Sequence, residues 1–376
     1  MITREALSEL MSFHPEHYLT TTLYLEIDGS AQGSFAIRLK YLIKERRSEV
    51  RALQPDLRKS VNSDLRKIKE YVDLEFSREG VRTLAIFSCS ALKWWKVVTA
   101  SVTVKSQLAV SSRPYLHPLA FFLDEYSRFQ VILIERPGAR LFEVYAGEIL
   151  ELVDIRDDVP GKVRVGGFGG YMERRIERHI DDHIRRHFKH VADLSYEFFK
   201  KNSNDFLILL GSEQNTNEFQ HYLHSTLQEK LVAIEQEEIH ATPAQILERA
   251  TKIEKDLKQK EDRKLLARLF SQVNSGGLGI LGLDSTIRAL HYGQVNYLVV
   301  QEGYGKHGYR CIECSRLLTN NGSCDYCGGK TQAVSNVVDE AIQEALVQGC
   351  QVRYITIPDS QLVTAGSIGA MLRYKV

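Results

Sequence analysis

The sequence lacks several features that mark particular classes of protein. Its 376 residues include only six cysteines, which are too few for a secreted protein of this length that is stabilised by disulfide bonds. It also lacks an excess of either charge, since 49 lysines and arginines face 48 acidic residues and leave a net charge of +1. This balance excludes a protein that coats nucleic acid over its whole surface. Any contact with nucleic acid must come from local patches.

Long apolar runs are absent as well. The longest, such as 206–210 and 131–134, are far shorter than the roughly 18 residues of a membrane span. The first ten residues, MITREALSEL, carry charges where an export signal needs an apolar stretch. We therefore expect a cytoplasmic protein without membrane contact.

The length suggests two or three domains, and segments with strand and helix periodicity alternate along the chain, which predicts an α/β fold. We place the domains at 1–127, 128–262 and 263–376. The predicted strands are 20–27, 81–89, 94–104, 129–135, 139–145, 206–210, 231–234, 297–301 and 352–357. The predicted helices are 34–52, 57–76, 171–201, 217–228, 243–270, 284–291 and 337–348. The segment 364–374 is expected to complete the last sheet.

Four cysteines form two Cys-x-x-Cys pairs, Cys311 with Cys314 and Cys324 with Cys327, separated by nine residues. Four thiolates at this spacing can surround a zinc ion completely, which indicates a structural zinc ribbon at about residues 308–332 within the last domain. The alternative is a loop of the same sequence that holds no metal. The other two cysteines, Cys89 and Cys350, lie in apolar surroundings typical of core residues.

A glycine-rich segment precedes the helix predicted at 171–201. It has neither the Lys-Ser/Thr ending of a phosphate-binding loop nor the dinucleotide-binding spacing, so a nucleotide site is not indicated. Two interpretations stay open: a tip whose aromatic residues stack on a base or fill a pocket, and a plain solvent loop. The residues of this candidate tip are Gly166, Gly167, Phe168, Gly169, Gly170 and Tyr171.

The following helix carries histidines at 179, 183 and 187, one turn apart on one face. Three interpretations are open: metal binding, a solvated face of mixed charge, and a surface that faces RNA. The arginines that would serve an RNA-binding surface are Arg174, Arg175, Arg178, Arg185 and Arg186.

The first domain contains the most basic stretch of the chain. Between Arg38 and Glu70, eleven basic residues face five acidic ones. Lys44, Arg46 and Arg47 are the candidate RNA contacts, although exposed basic helices are also common in proteins that bind no nucleic acid. No arrangement typical of a hydrolytic site is visible in the sequence.

Three segments together resemble one protein family. GGFGGYMERRIERHIDDHIRRHFKHVADLSYEFF resembles the middle domain of the archaeal and eukaryotic class-one peptide-chain release factors and of Pelota, in the form found in their bacterial, Balon-like relatives. SGGLGILGLDSTIRALHYGQVNYLVV, the cysteine insert and GSIGAMLRY are similar to the third domain of the same superfamily. The resemblance covers residues 128–376, whereas 1–127 is similar only to the divergent first domain of the bacterial relatives.

The resemblance implies a three-domain release-factor/Pelota-like architecture that mimics transfer RNA in the ribosomal A site. The glycine-rich tip would then reach the peptidyl-transferase centre. Hydrolytic release factors carry Gly-Gly-Gln there, but this loop has Phe168 or Tyr171 after its glycines and no glutamine. The first domain also lacks the Asn-Ile-Lys-Ser and Tyr-x-Cys-x-x-x-Phe motifs that read stop codons. No catalytic residue is assigned.

These departures favour a ribosome-associated factor of the rescue or hibernation type. One alternative is a peptidyl-tRNA hydrolase in which another group of the loop replaces the glutamine. Another is an RNA- or protein-binding scaffold that keeps the fold. The expected partners are the ribosome and its RNA, with a translational GTPase such as elongation factor Tu as a candidate, and the expected state is a monomer.

Overall fold

The protein forms two compact units. The structure is a computed structural model that describes residues 4–27, 34–77, 80–136, 138–156, 170–357 and 360–375. One unit comprises Met1–Glu125 together with Gln259–Val376, and the other comprises Tyr126–Lys258. Within the described part, no helix is both long and apolar enough to cross a bilayer. Both units combine helices with sheets, so the predicted α/β character is confirmed.

The first part of the first unit is an antiparallel sheet covered by helices. Its elements are α1 (Arg4–Ser12), β1 (Thr20–Glu26), α2 (Ser34–Ala52), α3 (Pro55–Glu70), β2 (Thr83–Cys89), β3 (Trp94–Ala100), β4 (Gln107–Ser111) and α4 (His117–Glu125). The strand order is β3-β2-β1-β4. Leu39 of α2 and Ile68 of α3 pack in one core cluster with Leu23 of β1, so both helices cover the same sheet face.

Asp64 of α3 ties that helix to the sheet. Its side chain is fully buried and accepts hydrogen bonds from the hydroxyls of Thr21 (2.9 Å) and Ser88 (2.7 Å). The backbone N–H of Ser90 donates to the same carboxylate at 2.7 Å. Because each donor comes from β1 or from the end of β2, this buried acid fixes the register of α3 against the two central strands.

The second unit is a three-layer α/β domain. Its elements are β5 (Phe129–Glu135), β6 (Gly138–Tyr145), β7 (Glu148–Arg156), α5 (Gly170–Lys201), β8 (Phe206–Gly211), α6 (Glu213–Phe219), α7 (Ser225–Lys230), β9 (Leu231–Gln236) and α8 (Pro243–Asn274), which continues into the first unit. The strand order is β7-β6-β5-β8-β9, with β5, β8 and β9 parallel. Successive side chains of β8 point to opposite faces of the sheet. Leu209 packs in one core cluster with Phe188 of α5, and Ile208 packs in another with Ile246 of α8.

The last part of the first unit is a small mixed sheet with a cysteine-rich insert. Its elements are β10 (Gly279–Leu281), α9 (Leu283–His291), β11 (Val295–Gln301), β12 (Gly308–Cys311), β13 (Leu317–Leu318), β14 (Thr331–Val334), α10 (Val337–Val347), β15 (Gln351–Ile355), α11 (Ser360–Thr364) and β16 (Ile368–Leu372). The main sheet has the order β10-β16-β11-β15, and the insert forms a three-stranded sheet of order β13-β12-β14. As predicted, the closing segment completes the main sheet, because β16 lies between β10 and β11.

The predicted helix at 217–228 is wrong. The structure has α6 up to Phe219, a 3₁₀ turn at Gln220–Tyr222, and then the separate helix α7. Leu223 and His224 are extended between them, and the Nδ1 atom of His224 accepts a hydrogen bond from the N–H of Thr226 at 3.2 Å. This cap begins a new helix where the apolar spacing alone predicts a continuous one.

Other differences concern the ends of predicted elements and several short elements that were not predicted. The helix predicted at 57–76 ends as α3 at Glu70 and continues as a π-helical turn over Tyr71–Glu75. The sequence analysis missed α1, α4, β4, β7, β10, α11 and the three short strands of the insert, β12, β13 and β14. In α4 the proline at position 118 lies in the first helical turn, where its missing N–H costs nothing, so it begins a helix instead of breaking one.

Arg353 of β15 joins three segments of the first unit. Its guanidinium lies 3.2 Å from a carboxylate oxygen of Asp124 in α4 and 2.6 Å from one of Glu261 in α8. Its Nε atom is 3.6 Å from Asp262, whose side chain is fully buried. The other oxygen of Asp124 accepts the backbone N–H of Tyr354 at 3.0 Å. The arginine therefore holds α4 and α8 against the last sheet.

We expect Arg353→Ala to lower the free energy of unfolding of the first unit by about 3–5 kcal/mol, because buried Asp262 and its neighbours lose the guanidinium of Arg353. Urea denaturation followed by tryptophan fluorescence measures this, since Trp94 and Trp95, the two tryptophans of the chain, lie in this unit. Arg310→Ala removes a more exposed ion pair with Glu340 and should cost about 1 kcal/mol or less. Equal losses in both variants would contradict a special role for Arg353.

Candidate metal centre and nucleic-acid interface

The four cysteines of the insert converge. Their sulfur atoms all lie within 4.8 Å of one another. The Sγ atoms of Cys311 and Cys327 are 3.4 Å apart, and those of Cys314 and Cys324 are 3.6 Å apart. Within the part of the chain that the structure describes, no other group of three or more potential metal-ligating side chains comes together in this way.

Two tight turns bring the cysteines together. In the first, the N–H of Ser315 donates to the carbonyl of Cys311 at 3.0 Å, and in the second, the N–H of Gly328 donates to the carbonyl of Cys324 at 2.8 Å. Ser315 and Gly328 both have positive φ, 60° and 74° respectively. Glycine adopts this conformation without steric cost, which explains the glycine directly after the second pair.

The cluster fits a metal ion. Four sulfur ligands at about 2.3 Å from a metal form a tetrahedron with edges of about 3.8 Å, close to the two distances above. The backbone N–H of Cys314 lies 3.5 Å from the sulfur of Cys311 and donates a hydrogen bond to it. Hydrogen bonds to the sulfur stabilise the thiolate, which is the form that binds metals. These residues can therefore hold a metal ion.

The insert is attached to α9 through His291. The Nε2 atom of His291 accepts the backbone N–H of Leu317 at 3.0 Å, and its ring meets that of Tyr326 edge to face. The guanidinium of Arg316 stacks over the ring of Tyr326, 3.9 Å from the ring centroid. Burial and the nearby Arg316 lower the pKa of His291 to about 4. The neutral ring is thus the form that accepts the hydrogen bond from β13.

The candidate RNA contacts of the first domain lie on α2 and have different surroundings. Arg46 donates to the carbonyl of Leu108 in β4 at 3.0 Å and to both carboxylate oxygens of Glu49. Lys44 and Arg47 are exposed on the same helix. Arg46 therefore has a structural role in attaching α2 to the sheet edge, whereas the other two point their charges into solvent.

The candidate residues of the second unit lie on α5 or before it. Gly166, Gly167, Phe168 and Gly169 lie outside the described residues. Gly170 begins α5, and Tyr171, Arg174, Arg175 and Arg178 follow in its first turns, with their side chains outside the described part. Arg185 and Arg186 are exposed, and Arg185 lies 4.0 Å from Asp182.

The three histidines of α5 do not form one uniform face. His187 is buried, and its Nε2 atom lies 3.2 Å from the backbone carbonyl of Glu135. His183 is half-buried, and the side chain of His179 lies outside the described part. His187 is accordingly a core histidine of the second unit, which the helical spacing did not reveal.

Comparison with known proteins places the chain among relatives of release factors. Residues 114–255 match the model of Bacterial archaeo-eukaryotic release factor family 10. Peptide chain release factor subunit 1 of Thermococcus onnurineus is 25% identical over 318 residues, which cover 76% of each chain. The corresponding protein of Methanococcus maripaludis (strain C7) is 29% identical over 224 residues, or 56% of this chain and half of that relative's length. The predicted resemblance to archaeal release factors is thereby confirmed.

Among solved structures, Pelota of Archaeoglobus fulgidus matches 78% of this chain and 80% of its own, with 16% identity and a TM-score of 0.35.

The docking of the insert is expected to weaken in acid. His291 binds a proton more readily in the unfolded chain, where its pKa is near 6.5, than in the folded protein, where it is about 4. Its stabilising contribution is therefore complete above pH 6.5 and is lost as the pH falls towards 4. Urea midpoints at pH 7 and pH 5 measure this loss.

The informative variant is His291→Gln, because the glutamine oxygen can accept the same N–H but does not titrate. Its urea midpoint should fall less between pH 7 and pH 5 than that of the wild type. His307→Gln, at an exposed position, is the control and should follow the wild type. Since all three proteins keep the four cysteines, protonation of the thiols affects them equally. If the urea midpoint of the His291 variant fell as much between pH 7 and pH 5 as that of the wild type, the role given to His291 would be refuted.

Proposed function

We propose that this protein is a ribosome-associated translation factor that occupies the A site of an empty or stalled ribosome. The sequence match to release factors over residues 114–255, combined with a tip loop that has no glutamine, is the observation that carries the proposal. The loop keeps the glycines that let a tip enter a narrow site but not the glutamine of hydrolytic factors. The chain is accordingly assigned a rescue or hibernation role without stop-codon reading and without Gly-Gly-Gln-dependent peptide release.

Contacts with ribosomal RNA are assigned to both units. In the second unit, Phe168 and Tyr171 would stack on large-subunit RNA, and the arginines at 174, 175, 178, 185 and 186 would contact phosphates nearby. In the first unit, the basic face of α2 would contact small-subunit RNA. A one-sided basic face supports RNA binding over a scaffold, because the scaffold alternative predicts a first domain without such a face.

We also assign zinc to the cysteine cluster. Four thiolates fill all four positions of a tetrahedral zinc ion, so no position remains for water or substrate and the ion stabilises the insert. The cellular setting that we propose is the cytoplasm, and the proposed form is a monomer, with a translational GTPase such as elongation factor Tu as the candidate delivery partner.

Metal analysis tests the zinc assignment. The purified protein should contain about one zinc per chain, and Cys314→Ser should lose it because three sulfur ligands remain. Cys350→Ser is the matched control: this buried thiol donates to the carbonyl of Val295 at 3.1 Å, and a hydroxyl can do the same. The control should retain zinc. The assignment would be refuted if the purified wild-type protein contained no zinc, or if both variants lost zinc equally.

Co-sedimentation with purified ribosomes at low salt tests the function itself. The wild type should pellet with ribosomes. Replacing both Phe168 and Tyr171 by alanine should weaken binding by about 1–3 kcal/mol per stacked base. Tyr374→Ala removes another exposed aromatic ring and should leave binding unchanged. Failure of the wild type to pellet would overturn the proposal.

The same ribosomes, loaded with a labelled peptide, separate the proposal from the hydrolase alternative. The protein should release no peptide above background. Release that disappears when Gly166 and Gly167 are both replaced would instead establish a peptidyl-tRNA hydrolase that works through this loop.

A further inference from the structure

A groove between α2 and α3 has two basic walls. We call it the α2–α3 groove; its volume is about 410 Å³, and its apolar floor includes Ile43, Val50 and Leu65. Its rim is built by exposed residues of both helices. These are Arg47 and Arg51 of α2 and Arg58, Asn62, Arg66 and Lys69 of α3.

The basic wall of α2 continues beyond the groove. Lys40 and Lys44 precede Arg47 and Arg51 at steps of three and four residues, so the four cations form one exposed stripe. At 1.5 Å per residue, the stripe is about 16 Å long. Such a length exceeds what a single small anion would occupy.

The charges of this surface are not neutralised by the protein. None of the cations named on the stripe and the rim has a carboxylate within 4 Å among the described residues, whereas Arg38 and Arg46 of the same helix pair with Glu26 and Glu49. The helical repeat places Glu45 and Glu49 on the flank of α2 opposite the groove. The sequence excess of positive charge between 38 and 70 is thus concentrated on one side.

Glu70, one turn after Arg66, forms no ion pair with these cations, and Asp64 does not offset them either. Asp64 is buried against the sheet, where its oxygens accept hydrogen bonds from hydroxyl and backbone donors. Its carboxylate therefore faces away from the rim. The groove presents unpaired cations on both walls and an apolar floor between them, which suits the phosphates and the bases of single-stranded nucleic acid.

We propose that the α2–α3 groove binds the sugar–phosphate backbone of a single-stranded or looped segment of RNA. The choice of RNA over another polyanion rests on the proposed function. The groove distinguishes the roles of the three candidates on α2: Lys44 and Arg47 contact phosphate, and Arg46 maintains the fold.

Fluorescence anisotropy with a labelled single-stranded RNA of about twelve nucleotides tests the groove directly. The variant Arg47→Glu with Arg66→Glu changes one cation on each wall and should weaken binding about tenfold or more. The slope of log affinity against log salt should fall in magnitude by about 1.4, since two phosphate contacts are lost. The control is Lys252→Glu with Lys255→Glu, which changes two exposed cations of α8 and should bind like the wild type.

A second control is Tyr41→Ala, which removes an exposed ring on the flank of α2 opposite the groove and should bind like the wild type. Circular dichroism confirms that the variants fold. Wild-type affinity in the two-site glutamate variant would overturn the proposal, and so would a polyglutamate peptide that competes as well as unlabelled RNA.

Ribosome pelleting of the same variants separates this inference from the proposed function. Loss of ribosome binding in the groove variant but not in the control supports both. Ribosome binding that is unaffected by the groove variant overturns the groove and leaves the proposed function intact. A wild type that binds the RNA through the groove but does not bind ribosomes supports the groove and overturns the proposed function.

Discussion

The ion cluster around Arg353 is the interaction on which the organisation of the first unit depends. Its guanidinium lies among three carboxylates from two helices that are distant in sequence, and one of these carboxylates is fully buried. Such a cluster is expensive to desolvate and is stable only when all its members are present. It therefore links α4, the long helix α8 and the last sheet. The α2–α3 groove and the cysteine insert belong to the same compact unit.

The charged side chains of this protein are distributed unevenly over its surface. A net charge of +1 excludes a uniformly basic surface, yet α2 and α3 place unpaired cations on one side and their paired or buried charges on the other. A local basic groove on a nearly neutral protein suits selective docking to a defined RNA surface, because nonspecific attraction elsewhere on the molecule is weak.

Patterns within short segments of the sequence predicted the structural features that depend on neighbouring residues. The spacing of the four cysteines predicted the cluster. Periodicity predicted both ends of α2, at 34 and 52, and the hairpin of β5 and β6 to within one residue. Contacts between distant residues were not predictable: Arg353 is 229 residues from Asp124, and His291 is 26 residues from Leu317. Spacing also could not separate Arg46 from Arg47, because only the folded sheet edge at Leu108 distinguishes the paired cation from the exposed one.

The most direct test of the central claim is a cryo-EM map of the protein added to vacant ribosomes. The account predicts density for the protein in the A site, with the α2–α3 groove against small-subunit RNA and residues 166–171 at the peptidyl-transferase centre. An empty A site at saturating protein, or density only on the outer surface of the ribosome, would contradict it.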